Sequence, residues 1–312
     1  MNSKEEYRNL CETEGSQIPL FLQYWWLVTV CFGKHWDVLL SRDNQGAIVG
    51  ALPFLIGRKY GLRYILQPQL TQFSGPWLRN LGEQGNHQVL SDLVAQLEAL
   101  CVPIYIQQFS PQITNWLPFY WKGFRQTTHY SYRISLEQTP EQMFNAFSSK
   151  ERQKFRQADS KLHTTMDISP EEFATFHQRH WQSKGEEDVL SEDFILRVCH
   201  SAMEHKSGLI YGLRDTEDHL VAAWFVVYDD QCAYSLMSAL NSQYPIKGAT
   251  TCLVFHLLQE MKKRTKIFDF EGSMDYGVEQ SVRYFGAQQI PYFKVTKFRP
   301  RWLGVLLSSW SR

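Results

Sequence analysis

The chain has 312 residues, 44% hydrophobic and 14% aromatic, with 32 basic residues set against 32 acidic ones. That length suits two domains with sizeable cores, and the charge balance excludes the global basic field of a general nucleic-acid binder, though not a local basic patch. Six scattered cysteines with no Cys-x-x-Cys pair argue for reduced, mostly buried thiols in a cytoplasmic protein, and against a disulfide framework or a zinc site.

Residues 1–6 are polar and lack a signal-peptide pattern. The apolar run 18–32 is interrupted by Gln23 and is shorter than the roughly 20 residues of a bilayer span. Residues 14–32 read as a first helix with Trp25 and Trp26 towards the core, and Trp36 and Trp77 also read as core. A strand at 37–40, the turn Arg42-Asp43-Asn44-Gln45-Gly46 and a strand at 47–56 make a hairpin. A short strand at 64–66 and a loop at 68–76 follow. Val89, Leu90, Leu93, Val94 and Leu97 give a helix over 86–100. A strand at 103–109, a turn at 121–124 and an alternating strand at 128–136 close this half.

Residues 150–156 read as a basic helix. Pro170 opens the next, with Glu171 and Glu172 in its first turn, running through His177 and Trp181. Another begins at Ser191. Strands follow at 209–212, 220–228 and 232–238, with a turn at 214–218. A helix opening at Gly248, a strand at 267–270, a turn at Gly286-Ala287 and a strand at 292–298 complete the order.

That order occurs twice. Arg42-Asp43 before Ile48-Val49-Gly50-Ala51 is echoed by Arg214-Asp215 before Leu220-Val221-Ala222-Ala223, an offset of 214 − 42 = 172. Gly123-Phe124 is echoed by Gly286-Ala287. The chain therefore reads as two tandem α/β (α+β) units, 1–138 and 139–298, each a mixed twisted sheet flanked by helices. Residues 299–312 form a tail with bases before an apolar stretch, suited to weak membrane-surface contact or to packing on its own domain.

The working centre is placed at Lys266-Ile-Phe-Asp-Phe-Glu-Gly-Ser-Met274. In a strand, Asp269 and Glu271 share one face with Ile267, and Phe268 and Phe270 share the other. Acids in an apolar segment are costly unless paired or used. Such a carboxyl has a raised pKa and serves as a proton acceptor; the competing reading caps backbone amides or pairs with Arg283. Tyr284 or Tyr276 is a candidate proton donor to a leaving group, against a core role. Lys247, Gly248 and Ala249 open a helix that would favour a phosphate, against a plain helix start. Lys150, Arg152, Lys154 and Arg156 share a helix; Arg152 and Arg156, one turn apart, could clamp a diphosphate or carboxylate, against a solvated basic face. His177 and His180 lack a third ligand, Glu172 notwithstanding, so they read as an exposed pair and no metal is expected.

On Phe268-Asp-Phe-Glu-Gly-Ser273, Tyr284-Phe-Gly-Ala287, Ile48-Val49-Gly50-Ala51-Leu52-Pro53 and Lys150-Glu-Arg-Gln-Lys-Phe-Arg156, the chain resembles a tandem member of the Gcn5-related N-acetyltransferase (GNAT) superfamily. It is closest to the branch of the Fem-type peptidoglycan peptidyltransferases and related acetyltransferase-like proteins. The resemblance implies two GNAT folds and transfer of an acyl or aminoacyl group to the amine of a cell-envelope precursor or other small molecule. The donor would be acyl-CoA or aminoacyl-tRNA, used as a co-substrate with no permanently bound cofactor, so tRNA is a candidate partner. The second copy would hold the chemistry, Glu271 preferred over Asp269, with Ser273, Arg152 and Arg156 at the acceptor; the first copy would help bind that acceptor in a groove between them. A catalytically silent module gripping a nucleotide-linked precursor is the rival. Two departures stand out. Acetyl-CoA users carry Arg/Gln-x-x-Gly-x-Gly/Ala where this chain has Gln243-Tyr-Pro-Ile-Lys-Gly-Ala-Thr250, and the long helical hairpin that some Fem-type enzymes link to tRNA has no counterpart here.

Overall fold

The computed structural model describes residues 2–306 except 187, 273 and 275. Two compact units divide the chain, Met1–His129 with Pro291–Arg312, and Tyr130–Ile290.

The chain begins with α1 (Ser3–Glu14), α2 (Tyr24–Val30), β1 (His35–Arg42), β2 (Ile48–Lys59), β3 (Leu62–Leu66), β4 (Trp77–Leu78), α3 (Gly82–Ala99), β5 (Ile104–Gln108), α4 (Leu117–Trp121) and β6 (Arg125–Ser135). It continues with α5 (Pro140–Ala146), α6 (Ser149–Ala158), β7 (His163–Thr165), α7 (Pro170–Ser183), α8 (Glu192–Glu204), β8 (Gly208–Arg214), β9 (Leu220–Tyr228) and β10 (Cys232–Leu240). Last come α9 (Ala249–Met261), β11 (Ile267–Asp269), α10 (Tyr276–Arg283), β12 (Gln288–Phe298) and α11 (Leu303–Leu306).

The expected first helix at 14–32 is instead α1, two 3-10 turns at Gly15–Gln17 and Leu20–Leu22, and α2. Asn2 and Glu5 form a reciprocal capping box that starts α1, and Pro19 stands where one long helix would need an amide donor. Trp26 is buried and Trp25 only partly so, while Trp36 and Trp77 lie in the core. The short elements β4, α4, α5, α10 and α11 carry too little periodicity to read from sequence.

In the first unit β1, β2 and β3 pair antiparallel, β3 and β5 pair parallel, and β12 closes antiparallel on β5. The apolar stripe of α3 packs on Val49, Leu52, Phe54 and Ile65. In the second unit β7, β8, β9 and β10 pair antiparallel, β10 and β11 parallel, and β6 antiparallel on β11. Cys252, Leu253, Leu257, Leu258 and Met261 of α9 fill its core. In each unit the parallel pair spans a helix, α3 or α9, because parallel strands need a long crossover.

The repeat holds at atomic detail. Asp43 Oδ1 accepts the amides of Gln45 and Ala47, and Asp215 Oδ1 accepts those of Glu217 and His219, all at 2.9 Å. Arg42 donates to the Gly46 carbonyl and Arg214 to that of Asp218. Gly46 and Asp218 both take positive φ. Every one of these partners keeps the offset of 172. Arg42 also pairs with Glu6 in the first turn of α1, as Arg214 does with Glu172 in the first turn of α7. That equates α1 with α7.

The unit boundaries differ from the expected division after residue 138. Residues 130–138 belong to the second unit, where β6 pairs β11, and residues 291–298 belong to the first, where β12 pairs β5. Each half gives its final strand to the other half's sheet. Strand order in sequence is silent on which sheet a terminal strand joins, so this exchange was not legible beforehand.

Candidate active site

The second unit's parallel pair is short. β11 meets β10 only at Cys232↔Ile267, Ala233↔Phe268 and Tyr234↔Asp269. β11 then stops, while β10 continues to Leu240. Just past the last pair, β10 carries a bulge: Ser235 opposes Val226 and Met237 opposes Phe225, leaving Leu236 as the extra residue. A bulge leaves a backbone position out of the ladder, here at the mouth of the splayed pair.

Beyond Asp269 the chain turns. The Phe270 amide donates to the Tyr132 carbonyl at 2.9 Å, and Glu271 adopts φ +56°, the left-handed region. The expected strand over 267–270 ends one residue early, and the alternation that was to put both acids on one face does not extend to Glu271. The turn brings them together instead. Asp269, wholly buried, accepts from the Ser131 hydroxyl, from Arg133 Nε at 2.7 Å and from the Glu271 amide at 2.8 Å. Ser131 Oγ in turn accepts the Gly272 amide at 3.1 Å. A Cβ on Gly272 would lie 2.1 Å from the Tyr130 carbonyl oxygen, so only glycine lets the turn lie this close to β6.

Asp269 thus acts as a fully engaged anchor, and Glu271 is different. The residue as a whole is part-exposed, yet its Oε1 is shut off from solvent and has no hydrogen-bond partner among the described residues. Desolvation first, then the negative charge of Asp269, push the Glu271 carboxyl well above the usual carboxylate range. The considered partner Arg283 pairs with Glu279 instead.

The first unit has the same turn without the acids. The Phe109 amide donates to the Phe293 carbonyl at 2.8 Å, matching Phe270 and Tyr132. Gln108 opposes Lys294 as Asp269 opposes Arg133. The offset is 270 − 109 = 161, so Gln108 and Ser110 stand where the second unit has Asp269 and Glu271.

Other expected residues lie as follows. Tyr284 is exposed at the end of α10, its carbonyl accepting the Ser148 amide. Tyr276 is more exposed and accepts from Gln280. Tyr132, which sequence reasoning passed over, hydrogen-bonds Glu279 at 2.9 Å and Gln289 at 2.8 Å, and desolvation first, then the Glu279 contact, raise its pKa. Ser131 and Arg133 were also missed, since an alternating strand gives no sign of what each residue will face. Ser273 lies outside the described residues.

Lys247 is exposed, and Gly248 caps α9 at φ +94°. A Cβ there would sit 2.5 Å from the Lys154 carbonyl oxygen of α6. Glu151, buried, accepts from the Thr251 hydroxyl in the first turn of α9 and from Lys154 Nζ at 2.5 Å. The carboxylate of Glu151 thus reaches the first turn of α9, near the expected phosphate position, through the Thr251 side chain. Arg152 donates to the Asn145 and Phe147 carbonyls, and the Arg156 guanidinium lies 5.7 Å from the Phe144 ring. Both arginines thus brace the turn between α5 and α6. His177 is buried against Asp188 at 2.6 Å, not exposed as expected, while His180 meets Leu240 and Glu172 pairs with Arg214. Only the first residues of the tail are described. No helix among the described residues is long and apolar enough to cross a membrane.

A mixed sheet with one short parallel pair and a helix crossing between its two strands is built here twice, and in the second unit that pair ends beside a bulge, as in the GNAT fold. The chain has a tandem GNAT fold. Residues 147–277 match the family model of the acetyltransferase (GNAT) domain. In fold the whole chain is similar to FemX (10% identity, TM-score 0.73, covering 97% of this chain and 98% of that one). It is also similar to L-PGS from Bacillus licheniformis (14%, 0.58, 97% and 94%) and to a tandem GNAT protein from the clavulanic acid biosynthesis pathway (9%, 0.56, 94% and 94%). No curated protein sequence matches it.

Proposed function

We propose that the second unit transfers an aminoacyl or acyl group to an amine of a cell-envelope precursor, with Glu271 as the proton acceptor. The observation that carries this reading is the solvent-shielded Oε1 of Glu271, which has no hydrogen-bond partner among the described residues and is held on a turn pinned by Asp269, Ser131 and Gly272. An amine attacking a carbonyl must shed a proton, and a carboxyl with a raised pKa can take it near neutral pH. The carbonyl oxygen gains negative charge as the nitrogen bonds, and a backbone amide outside the ladder can stabilise it. The amide of Leu236 at the β10 bulge is assigned that role. Asp269 and Arg133 position the turn without touching substrate. Tyr284, exposed near the end of α10, is assigned proton return to the leaving group. Arg152, Arg156 and Ser273 keep an acceptor-side assignment, the arginines through the turn they brace.

The donor follows from α9. Glu151 accepts from the Thr251 side chain and sets a negative charge near the first turn of that helix, which disfavours a diphosphate there. Aminoacyl-tRNA therefore takes precedence over acyl-CoA, in keeping with the Fem-type resemblance. The test is calorimetry with acetyl-CoA and with charged tRNA, followed by detection of labelled acyl group on nucleotide-linked peptide precursors. Labelled product from charged tRNA and no heat with acetyl-CoA is expected. Saturable precursor binding with no product from either donor would make the chain a silent binding module.

A further inference from the structure

Three ligand-type side chains converge away from the proposed active site, in the same unit. Asp159, at the end of α6, places Oδ1 2.7 Å from Nε2 of His256 and 3.6 Å from Sγ of Cys252. One donor atom from each of the three lies within 4.8 Å of the others. Cys252 and His256 are four residues apart on α9, so they project from one helical face. The thiol comes from the buried side, while Asp159 and His256 are partly exposed, leaving an open path on one side.

We propose that Asp159, Cys252 and His256 form a binding site for a divalent transition-metal ion of the zinc type. The donor set, one oxygen, one thiolate sulfur and one imidazole nitrogen, suits zinc better than calcium or magnesium, which prefer oxygen. Zinc bonds of ~2.0–2.3 Å at tetrahedral angles put ligand atoms roughly 3.3–3.7 Å apart. The Cys252–Asp159 separation already meets that spacing. The His256–Asp159 contact is a hydrogen bond and opens by about half an ångström on coordination, a movement within reach of two partly exposed side chains. Cys252 Sγ and His256 Nε2 both approach the same carboxylate oxygen, so a cation replaces hydrogen-bonding protons among three convergent donors. On binding, the thiol proton leaves to solvent, the imidazole carries its proton on Nδ1, and water completes the fourth position. The ion would tie the end of α6 to the middle of α9, as the Glu151–Thr251 contact ties its beginning to the first turn of α9.

The experiment uses the full chain in a Cys101→Ser background, because Cys101 is an exposed thiol that could bind metal on its own. Chelator-treated protein is titrated with Co²⁺ and then Zn²⁺. One equivalent of Co²⁺ is expected to give tetrahedral d–d absorption and a thiolate-to-cobalt charge-transfer band, both bleached by Zn²⁺. Cys252→Ser should abolish the charge-transfer band, and the partly exposed His256→Gln and Asp159→Asn should weaken Zn²⁺ binding at least tenfold. Circular dichroism confirms that each variant is folded, and the two exposed-site variants decide the question if Cys252→Ser is not. Absence of the band in the parent, or Zn²⁺ affinity unchanged in His256→Gln and Asp159→Asn, overturns the proposal.

Discussion

At the scale of single residues, Glu271 makes a stability prediction separate from catalysis. Its native pKa lies above the unfolded one, so the folded chain holds a proton that the unfolded chain releases. Between those two pKa values stability falls as pH rises, and above the native value the full loss stands. Glu271→Gln cannot titrate. Its urea midpoint should match wild type at about pH 4, near the unfolded glutamate value, and exceed it in mildly alkaline buffer. A difference that does not change with pH would place the carboxyl in solvent. Gly272→Ala tests the close approach to Tyr130: the added methyl should cost about 1–3 kcal/mol in denaturant melts, the usual penalty for overpacking, and lower transfer activity with it. The sequence displayed both acids and the glycine, and burial cost alone separated them from ordinary surface carboxylates. It did not display their division of labour, which depends on Ser131 and Arg133 across the sheet, more than 130 residues earlier.

At the scale of elements, the turn after β11 is only as firm as its anchor on β6. Arg133→Met would leave the buried Asp269 carboxylate without its cation. Removing one partner of a buried pair costs ~3–5 kcal/mol, and the partial exposure of Arg133 points to the lower end. Chemical denaturation measures this, and a loss below experimental error would mean that Ser131 and the Glu271 amide suffice. α9 teaches the complementary lesson. Its start was legible from Gly248, but not the buried carboxylate that meets its Thr251 side chain, because Glu151 looked like one charge among several on a basic helix. Periodicity locates a face, and only packing tells whether that face is already filled. The Arg152–Arg156 spacing was legible too, but not that nearby carbonyls and a ring engage both side chains.

At the scale of the whole molecule, duplication was readable because its marks are local: a turn aspartate, an arginine and a glycine at fixed offsets. The exchange of final strands was not, because it is a choice between two chemically similar sheet edges. Exchange predicts that neither 1–138 nor 139–298 folds alone. The first lacks β12, which supplies the buried Tyr292 and Val295, and the second lacks the β6 residues that flank β11. Near-ultraviolet circular dichroism should find both fragments without fixed tertiary structure, and native-like spectra from either would refute the exchange. The same comparison explains why one copy alone is assigned the chemistry, since Gln108 and Ser110 replace the acids in the other. The most direct test of that assignment is the single-turnover rate of aminoacyl transfer in Glu271→Gln against wild type at neutral pH. A fall of ~100-fold or more, within the range for general-base catalysis, with native stability retained is the predicted result, and a rate equal to wild type would contradict the role given to Glu271.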